Sequence, residues 1–119
     1  MKRTIHTDEI KKAVEDLIYK ANFIAPPEIR NIFTEMKDRE TLPLASETLK
    51  ILTENMDIAA EHEIPSCQDC GSVIIFLETG QELEITGDYI YDAINSSVAE
   101  SYKKFYLRKS IVSDPLRRK

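Results

Sequence analysis

The spacing of the apolar residues changes once along this 119-residue chain, and this change constrains the fold most strongly. In the first half, apolar residues recur at steps of three and four, as on one face of an α-helix. Beyond residue 72 the pattern becomes a continuous apolar run and then an alternation, as in β-strands. The predicted fold class is therefore α+β: N-terminal helices, then a β-hairpin or small sheet, then a further helix.

Three amphipathic helices are predicted in the first half. The first covers about residues 8–22, with Thr7 as its N-cap. The second starts at Pro26-Pro27, because proline suits the first turn of a helix. The third covers about residues 45–62. Because each has one apolar stripe, we expect the stripes to pack on each other or on another element. The stripes are Ile10, Val14, Leu17, Ile18 and Ala21; Ile29, Ile32, Phe33 and Met36; and Leu49, Leu52, Met56 and Ala59.

Two strands and a fourth helix are predicted in the second half. Residues 72–78 are almost all apolar, which is typical of a strand buried on both faces. Residues 79–81 form a turn and residues 82–86 alternate, so that the two segments could form a hairpin. The fourth helix covers about residues 89–104, and the remainder is predicted to be extended or loop. One side of this helix carries Ile90, Ala93, Ile94, Val98 and Tyr102.

The charge and hydropathy of the chain argue against two classes of partner. With 21 acidic and 16 basic residues the net charge is −5, whereas general nucleic-acid binding favours a basic surface. No apolar run approaches the ~20 residues of a membrane span, and no signal peptide is visible, so a cytoplasmic location is expected. A basic C-terminal stretch is either a solvated tail or a pocket for an anion. It comprises Lys103, Lys104, Arg108, Lys109, Arg117, Arg118 and Lys119.

The segment from Ile64 to Gly71, of sequence I-P-S-C-Q-D-C-G, is the most unusual part of the chain. Function concentrates on loops of this kind, which lie between regular elements. One interpretation is structural, with small thiols in a tight turn. Another is a zinc or redox pair, since C-x-x-C fits either. His62 could reach such a site, whereas nothing in the pattern brings His6 close.

The same segment resembles the P-x-C-Q-D-T-G signature of class I fumarate hydratases and L-tartrate dehydratase alpha subunits, which are iron–sulfur hydro-lyases. Two further blocks of similarity follow in the same order. They are D-A-I-N-x-x-V at residues 92–98 and L-R-K-S-I-V-x-D-P-L at residues 107–116. On these blocks, the chain is identified as a member of this family, closer to the fumarate hydratase type.

The resemblance implies a [4Fe-4S] cluster held by three cysteine thiolates, with one iron open to act as a Lewis acid. It implies that Cys67 is a cluster ligand and that Gln68 and Asp69 stand beside the open iron. Gln68 would donate to a substrate carboxylate, and Asp69 would share a proton with the leaving hydroxyl. Arg108 would clamp a carboxylate. The alternatives are that Gln68 and Asp69 only form a turn and that Arg108 is one exposed member of a basic run.

The resemblance also implies how the chain is organised. Residues 1–119 are expected to be the N-terminal portion of an alpha-type catalytic domain, with residues 1–63 helical. Residues 64–119 would hold the cluster-motif loop, strands, helix and substrate-arginine segment. Cys70 stands where the family usually has Thr and is expected to replace it isosterically.

The complete enzyme would interconvert malate and fumarate, while this chain alone would be inactive. Expected partners are the dicarboxylate substrate, the remaining alpha region, and a beta subunit or C-terminal domain, in an oligomer. The alternatives are an L-tartrate dehydratase alpha-type fragment and a noncatalytic metal-binding or interaction module that uses Cys67 and Cys70.

Overall fold

A computed structural model of the chain describes residues 2–116. Over these residues the class is α+β, as predicted, with four helices and a two-stranded sheet. The elements in order are β1 (Arg3–His6), α1 (Thr7–Phe23), α2 (Pro27–Arg39), α3 (Pro43–His62), β2 (Leu83–Thr86) and α4 (Ile90–Lys104). They divide into two compact units. The first unit holds residues 2–19 and 68–116, and the second holds residues 20–67. Within the described part of the chain, no helix is both long and apolar enough to cross a lipid bilayer.

The second unit is built on the packing of α2 against α3. Both helices begin with proline at the first turn, and an ion pair joins the Arg30 guanidinium to the Asp57 carboxylate. α3 ends at His62 because Glu63 adopts a left-handed φ of 51°. The predicted burial of the apolar stripes on α2 and α3 is only partly correct. Ala59 is buried, but α2 buries no residue and Leu52 is exposed, because two helices cover only part of each apolar stripe. The exposed stripe residues of α2 are Ile29, Ile32 and Met36.

The structure confirms the predicted small sheet, and the strand predicted at residues 82–86 forms β2. This sheet is parallel and pairs β2 with β1, so it is not the hairpin suggested between residues 72–78 and 82–86. β1 pairs with β2 in the register Arg3 to Leu83 through His6 to Thr86. A short turn cannot join two parallel strands, and here α1, α2 and α3 lie between them in sequence. The sequence did not predict β1, which has four residues and only one apolar side chain, Ile5.

The predicted strand at residues 72–78 is also wrong. This segment has no regular secondary structure in the described chain, and all of its residues are exposed. The exposed fraction of Phe76 is 93%. An apolar run becomes a strand only where another strand accepts and donates its backbone hydrogen bonds, and within residues 2–116 the sheet consists of β1 and β2 alone.

The core of the first unit lies where α1 contacts α4. Its buried apolar residues are Val14, Ile18, Ala93, Tyr102 and Leu107. On α4 the buried face runs through Ala93, Ser97 and Ser101 rather than through the larger apolar residues. The Ser97 hydroxyl donates to the Lys11 carbonyl at 2.7 Å, which ties α4 to α1. The predicted positions Ile90, Ile94 and Val98 are half-buried, whereas Leu17 and Ala21 of α1 are exposed.

The start of α1 is capped differently from the prediction. The side chain of His6, not of Thr7, caps the helix, because its Nδ1 accepts the backbone N–H of Asp8 at 3.2 Å. Thr7 is the first helical residue and is fully buried, and its hydroxyl oxygen accepts the backbone N–H of Asp88 at 3.0 Å. This contact joins the start of α1 to the turn that precedes α4.

Candidate functional site

The first part of the motif loop belongs to the second unit and is anchored on both sides of Ser66. The Ser66 backbone N–H donates to the Asn22 carbonyl at 2.8 Å, and the Asn55 side-chain amide donates to the Ser66 carbonyl at 2.8 Å. These contacts fix the peptide directly before Cys67, whose side chain is exposed. The thiol predicted to bind a cluster is thus accessible and lies next to an ordered peptide.

The next part of the loop, in the first unit, places Asp69 against the segment that follows α4. The Ser110 hydroxyl donates to Asp69 Oδ1 at 2.5 Å. This hydrogen bond is the main reason that the pKa of Asp69 lies below its usual value, and the Gly71 backbone N–H and the Arg108 charge act in the same direction. Asp69 is therefore an exposed carboxylate that remains ionised at neutral pH.

Cys70 holds the backbone of Arg108. The Arg108 N–H donates to Cys70 Sγ at 3.2 Å, and Cys70 is half-buried. The Tyr102 hydroxyl donates to the carbonyls of Cys70 and Gly71 at 3.3 and 3.4 Å. Burial, with a smaller electrostatic contribution from Cys70, raises the pKa of Tyr102.

The structure thus brings together two of the predicted site residues, Asp69 and Arg108. Gln68 is exposed at the start of the first unit, directly after Cys67 in sequence. Ser110 and Tyr102 were not predicted as site residues. The L-R-K-S block contains Ser110 and could have pointed to it, whereas the role of Tyr102 as donor has no signal in the sequence. The nearby Lys104 pairs with Glu15 at 2.6 Å, and residues 117–119 of the basic stretch lie outside the described residues.

A cavity of about 570 Å³ opens beside this loop within the first unit. Its walls are mostly apolar and come from the exposed run after Gly71, from one side of α4 and from residues 109–111. Lys109 and Ser110 are polar groups on its lining. The predicted α4 stripe of Ile90, Ile94 and Val98 therefore faces a cavity rather than a packed core.

The donor set of the described chain fits one ligand position of a metal cluster. Among residues 2–116, no group of three or more His, Cys, Asp and Glu side chains is placed to hold a metal ion. His62 is therefore not part of any such group there. Cys70 Sγ already accepts a backbone N–H, whereas the Cys67 thiol is exposed. An exposed thiol such as that of Cys67 can supply one ligand of a cluster whose other ligands come from elsewhere.

A comparison with known protein families assigns the chain to one of them. The family model described as fumarate hydratase (Fumerase) matches residues 11–119, which is most of the chain. This chain belongs to the fumarate hydratase family. The loop containing Asp69 and the segment containing Arg108 both lie inside the matched region.

Two curated relatives of this chain are named as L(+)-tartrate dehydratase alpha subunits. A protein of Methanocaldococcus jannaschii, provisionally named L(+)-tartrate dehydratase subunit alpha, is 30% identical over 105 residues, which cover 87% of this chain. The L(+)-tartrate dehydratase subunit alpha of Escherichia coli K12 is 26% identical over 98 residues, which cover 77% of this chain. The matched regions span only 37% and 32% of the lengths of these two relatives.

Proposed function

We propose that this family member is part of a [4Fe-4S] hydro-lyase that interconverts malate and fumarate. The observation that carries the proposal is the placement of Asp69. Its carboxylate is ionised and held by Ser110, with the Arg108 charge close enough to lower its pKa. A carboxylate held against the segment that carries an arginine suits a substrate that carries both a hydroxyl and carboxylates. Because the relatives are about three times as long as the matched region, the activity is proposed for the complete enzyme.

Each predicted site residue has a role in this proposal. Cys67, exposed beside an ordered peptide, would supply one thiolate to the cluster. When bound, the cluster supplies a Lewis acid at its open iron. Arg108 would bind a substrate carboxylate through two parallel hydrogen bonds, and the Gln68 amide would donate to a carboxylate.

Asp69 has the role closest to the chemistry. As an exposed carboxylate it is ionised at neutral pH, and before the substrate arrives it acts as a hydrogen-bond acceptor. The substrate hydroxyl would donate to this carboxylate, which fixes the orientation of the hydroxyl. In its protonated form, Asp69 would give its proton to the hydroxyl oxygen as the C–O bond breaks, so that water leaves, while a base in the rest of the complete enzyme would take the proton from the neighbouring carbon.

The proposal includes the organisation of the complete enzyme. Residues 1–119 would be the N-terminal portion of the alpha-type catalytic domain. The relatives are named alpha subunits, which supports a beta subunit or an equivalent C-terminal domain as partner, within an oligomer. The negative net charge supports the absence of nucleic acid among the partners, and we place the enzyme in the cytoplasm.

L(+)-tartrate dehydration is the second candidate function. The observation in its favour is that both relatives described above carry that name. Tartrate differs from malate by one further hydroxyl, so Asp69, Gln68 and Arg108 would have the same roles with either substrate.

Substrate profiling of the complete enzyme tests the proposal. After anaerobic reconstitution with iron and sulfide, fumarate, L-malate and L(+)-tartrate are assayed under identical conditions. Turnover of fumarate and malate is expected, and preferential turnover of tartrate would select the second candidate. The variant Arg108→Ala should raise KM for the dicarboxylate without changing cluster content, while Lys103→Ala, at an exposed position in the last turn of α4, serves as a control. No turnover of any dicarboxylate by an enzyme with its cluster intact would refute both candidates.

A further inference from the structure

The motif loop and the segment carrying Arg108 are joined by contacts of the Arg108 backbone and the Ser110 side chain, not of the Arg108 guanidinium. Cys70 Sγ accepts the Arg108 N–H at 3.2 Å, and Ser110 donates to Asp69 at 2.5 Å. Residues 67–80 contain no helix or strand, so regular secondary structure does not hold this loop. Its position in the first unit therefore depends on side-chain contacts such as these.

Tyr102 contacts both sides of the site. Its hydroxyl donates to the carbonyls of Cys70 and Gly71, and its own carbonyl accepts the Leu107 N–H at 3.0 Å. The second contact belongs to a reversal after α4 in which Tyr106 adopts a left-handed φ of 56°. Leu107 is buried, so the reversal is anchored in the core and turns the chain toward the loop. One buried tyrosine thus contacts both the loop backbone and the residue directly before Arg108.

We infer that Tyr102 and Cys70 are positioning residues that hold Asp69 and Arg108 at their relative places in the site. Neither is a catalytic residue. Tyr102 fixes the loop backbone against α4, and Cys70 fixes the Arg108 backbone against the loop. The roles of Asp69 and Arg108 toward substrate rest on the proposed function, whereas the positioning itself is a property of this chain.

The two residues differ in what a substitution removes. Tyr102→Phe keeps the buried ring and removes only the hydroxyl. Cys70→Ala removes the sulfur acceptor, while Cys70→Ser replaces it with a hydroxyl oxygen of similar size that can accept the same N–H. Rescue by serine therefore separates the hydrogen bond from mere packing. Tyr91→Phe is the matched control, because Tyr91 lies on the same helix with 65% of its surface exposed.

Nuclear magnetic resonance on the ¹⁵N,¹³C-labelled full chain tests the inference. One net hydrogen bond corresponds to a factor of roughly 2 to 10 in a local opening equilibrium. Hydrogen exchange of the Arg108 amide should therefore accelerate by about that factor in Cys70→Ala and Tyr102→Phe. In Cys70→Ser and Tyr91→Phe it should stay within about twofold of the wild type.

Two outcomes would overturn the inference: unchanged exchange of the Arg108 amide in Tyr102→Phe, or no difference in that exchange between Cys70→Ala and Cys70→Ser. If Tyr102→Phe fails to fold, the Cys70 pair decides alone. In the complete enzyme, Tyr102→Phe should raise KM for the dicarboxylate at unchanged iron content. If the exchange of the Arg108 amide responds but no dicarboxylate is turned over, the proposed function fails while the positioning role stands.

Discussion

Replacing Gly87 by alanine should destabilise the first unit more than any other glycine substitution in this chain. Gly87 has a φ of 98°, and a Cβ there would lie 2.4 Å from Thr7 Oγ1 and 2.7 Å from His6 Nε2. A non-glycine residue in such a backbone conformation costs about 1 to 3 kcal/mol. Thr7 is fully buried, so moving its hydroxyl from the Asp88 N–H adds about 1 kcal/mol. The free energy of unfolding should fall by roughly 2 to 4 kcal/mol.

The other two glycines provide graded controls. Gly71 also has a positive φ, 59°, but a Cβ there meets no atom within 4 Å, so Gly71→Ala should cost about 1 kcal/mol. Gly80 has neither constraint, and Gly80→Ala should change stability by less than about 0.5 kcal/mol. Urea unfolding of the three variants, followed by circular dichroism, measures the order. Equal midpoints for Gly87→Ala and Gly80→Ala would refute the described junction between α1 and the turn before α4.

Three further predictions concern polar contacts. Ser110→Ala removes the main cause of the lowered Asp69 pKa, so a ¹³C carboxyl titration should show that pKa rising. Since the folded-state pKa is lowered, ionised Asp69 stabilises the fold above about pH 4, and this stabilisation is lost as the pH falls through the folded-state pKa. In Ser110→Ala the free energy of unfolding should therefore fall less steeply as the pH is lowered through this range. Ser97→Ala should cost about 1 kcal/mol in urea unfolding, because the buried hydroxyl donates to a carbonyl of α1. A double-mutant cycle on Arg30 and Asp57 should give at most about 1 kcal/mol, since both side chains are about half exposed, and a much larger coupling would contradict this.

The helices could be predicted from the sequence because each signal is local. The apolar spacing extends over 13 to 20 residues, and proline marks the start of α2 and α3. The structure confirms all four predicted helices, with ends that shift by up to about two residues. The N-cap of α1 was harder to predict, because His6 and Thr7 are both polar neighbours and only the backbone geometry selects between them.

The strand at residues 82–86 was predicted and forms β2, but its partner and the parallel pairing could not be predicted, because the pairing is not local. β1 and β2 are four residues each, and about 80 residues separate their partners in sequence. Residues 72–78 have a far stronger strand pattern, yet this segment remains exposed. A pattern records which side chains favour burial, whereas strand formation also requires a partner backbone.

The candidate site likewise has residues that could be predicted from the sequence and contacts between segments that could not. The motif pointed to Asp69, and the L-R-K-S block pointed to Arg108, but no pattern indicated that their segments meet. That meeting depends on the reversal at Tyr106, a non-glycine residue with a positive φ, and on the hydroxyl of Tyr102. Such a backbone conformation is uncommon outside glycine and has no sequence signature here.

The most direct test of the account is the iron and sulfide content of the complete enzyme in two cysteine variants. Cys67→Ser and Cys70→Ser differ by three positions on one loop and make the same chemical change. After anaerobic reconstitution, Cys67→Ser should lose the iron, the acid-labile sulfide and the visible absorption of the cluster, whereas Cys70→Ser should retain all three. A full cluster in Cys67→Ser, or loss of the cluster in Cys70→Ser alone, would contradict the assignment of Cys67 as the ligand.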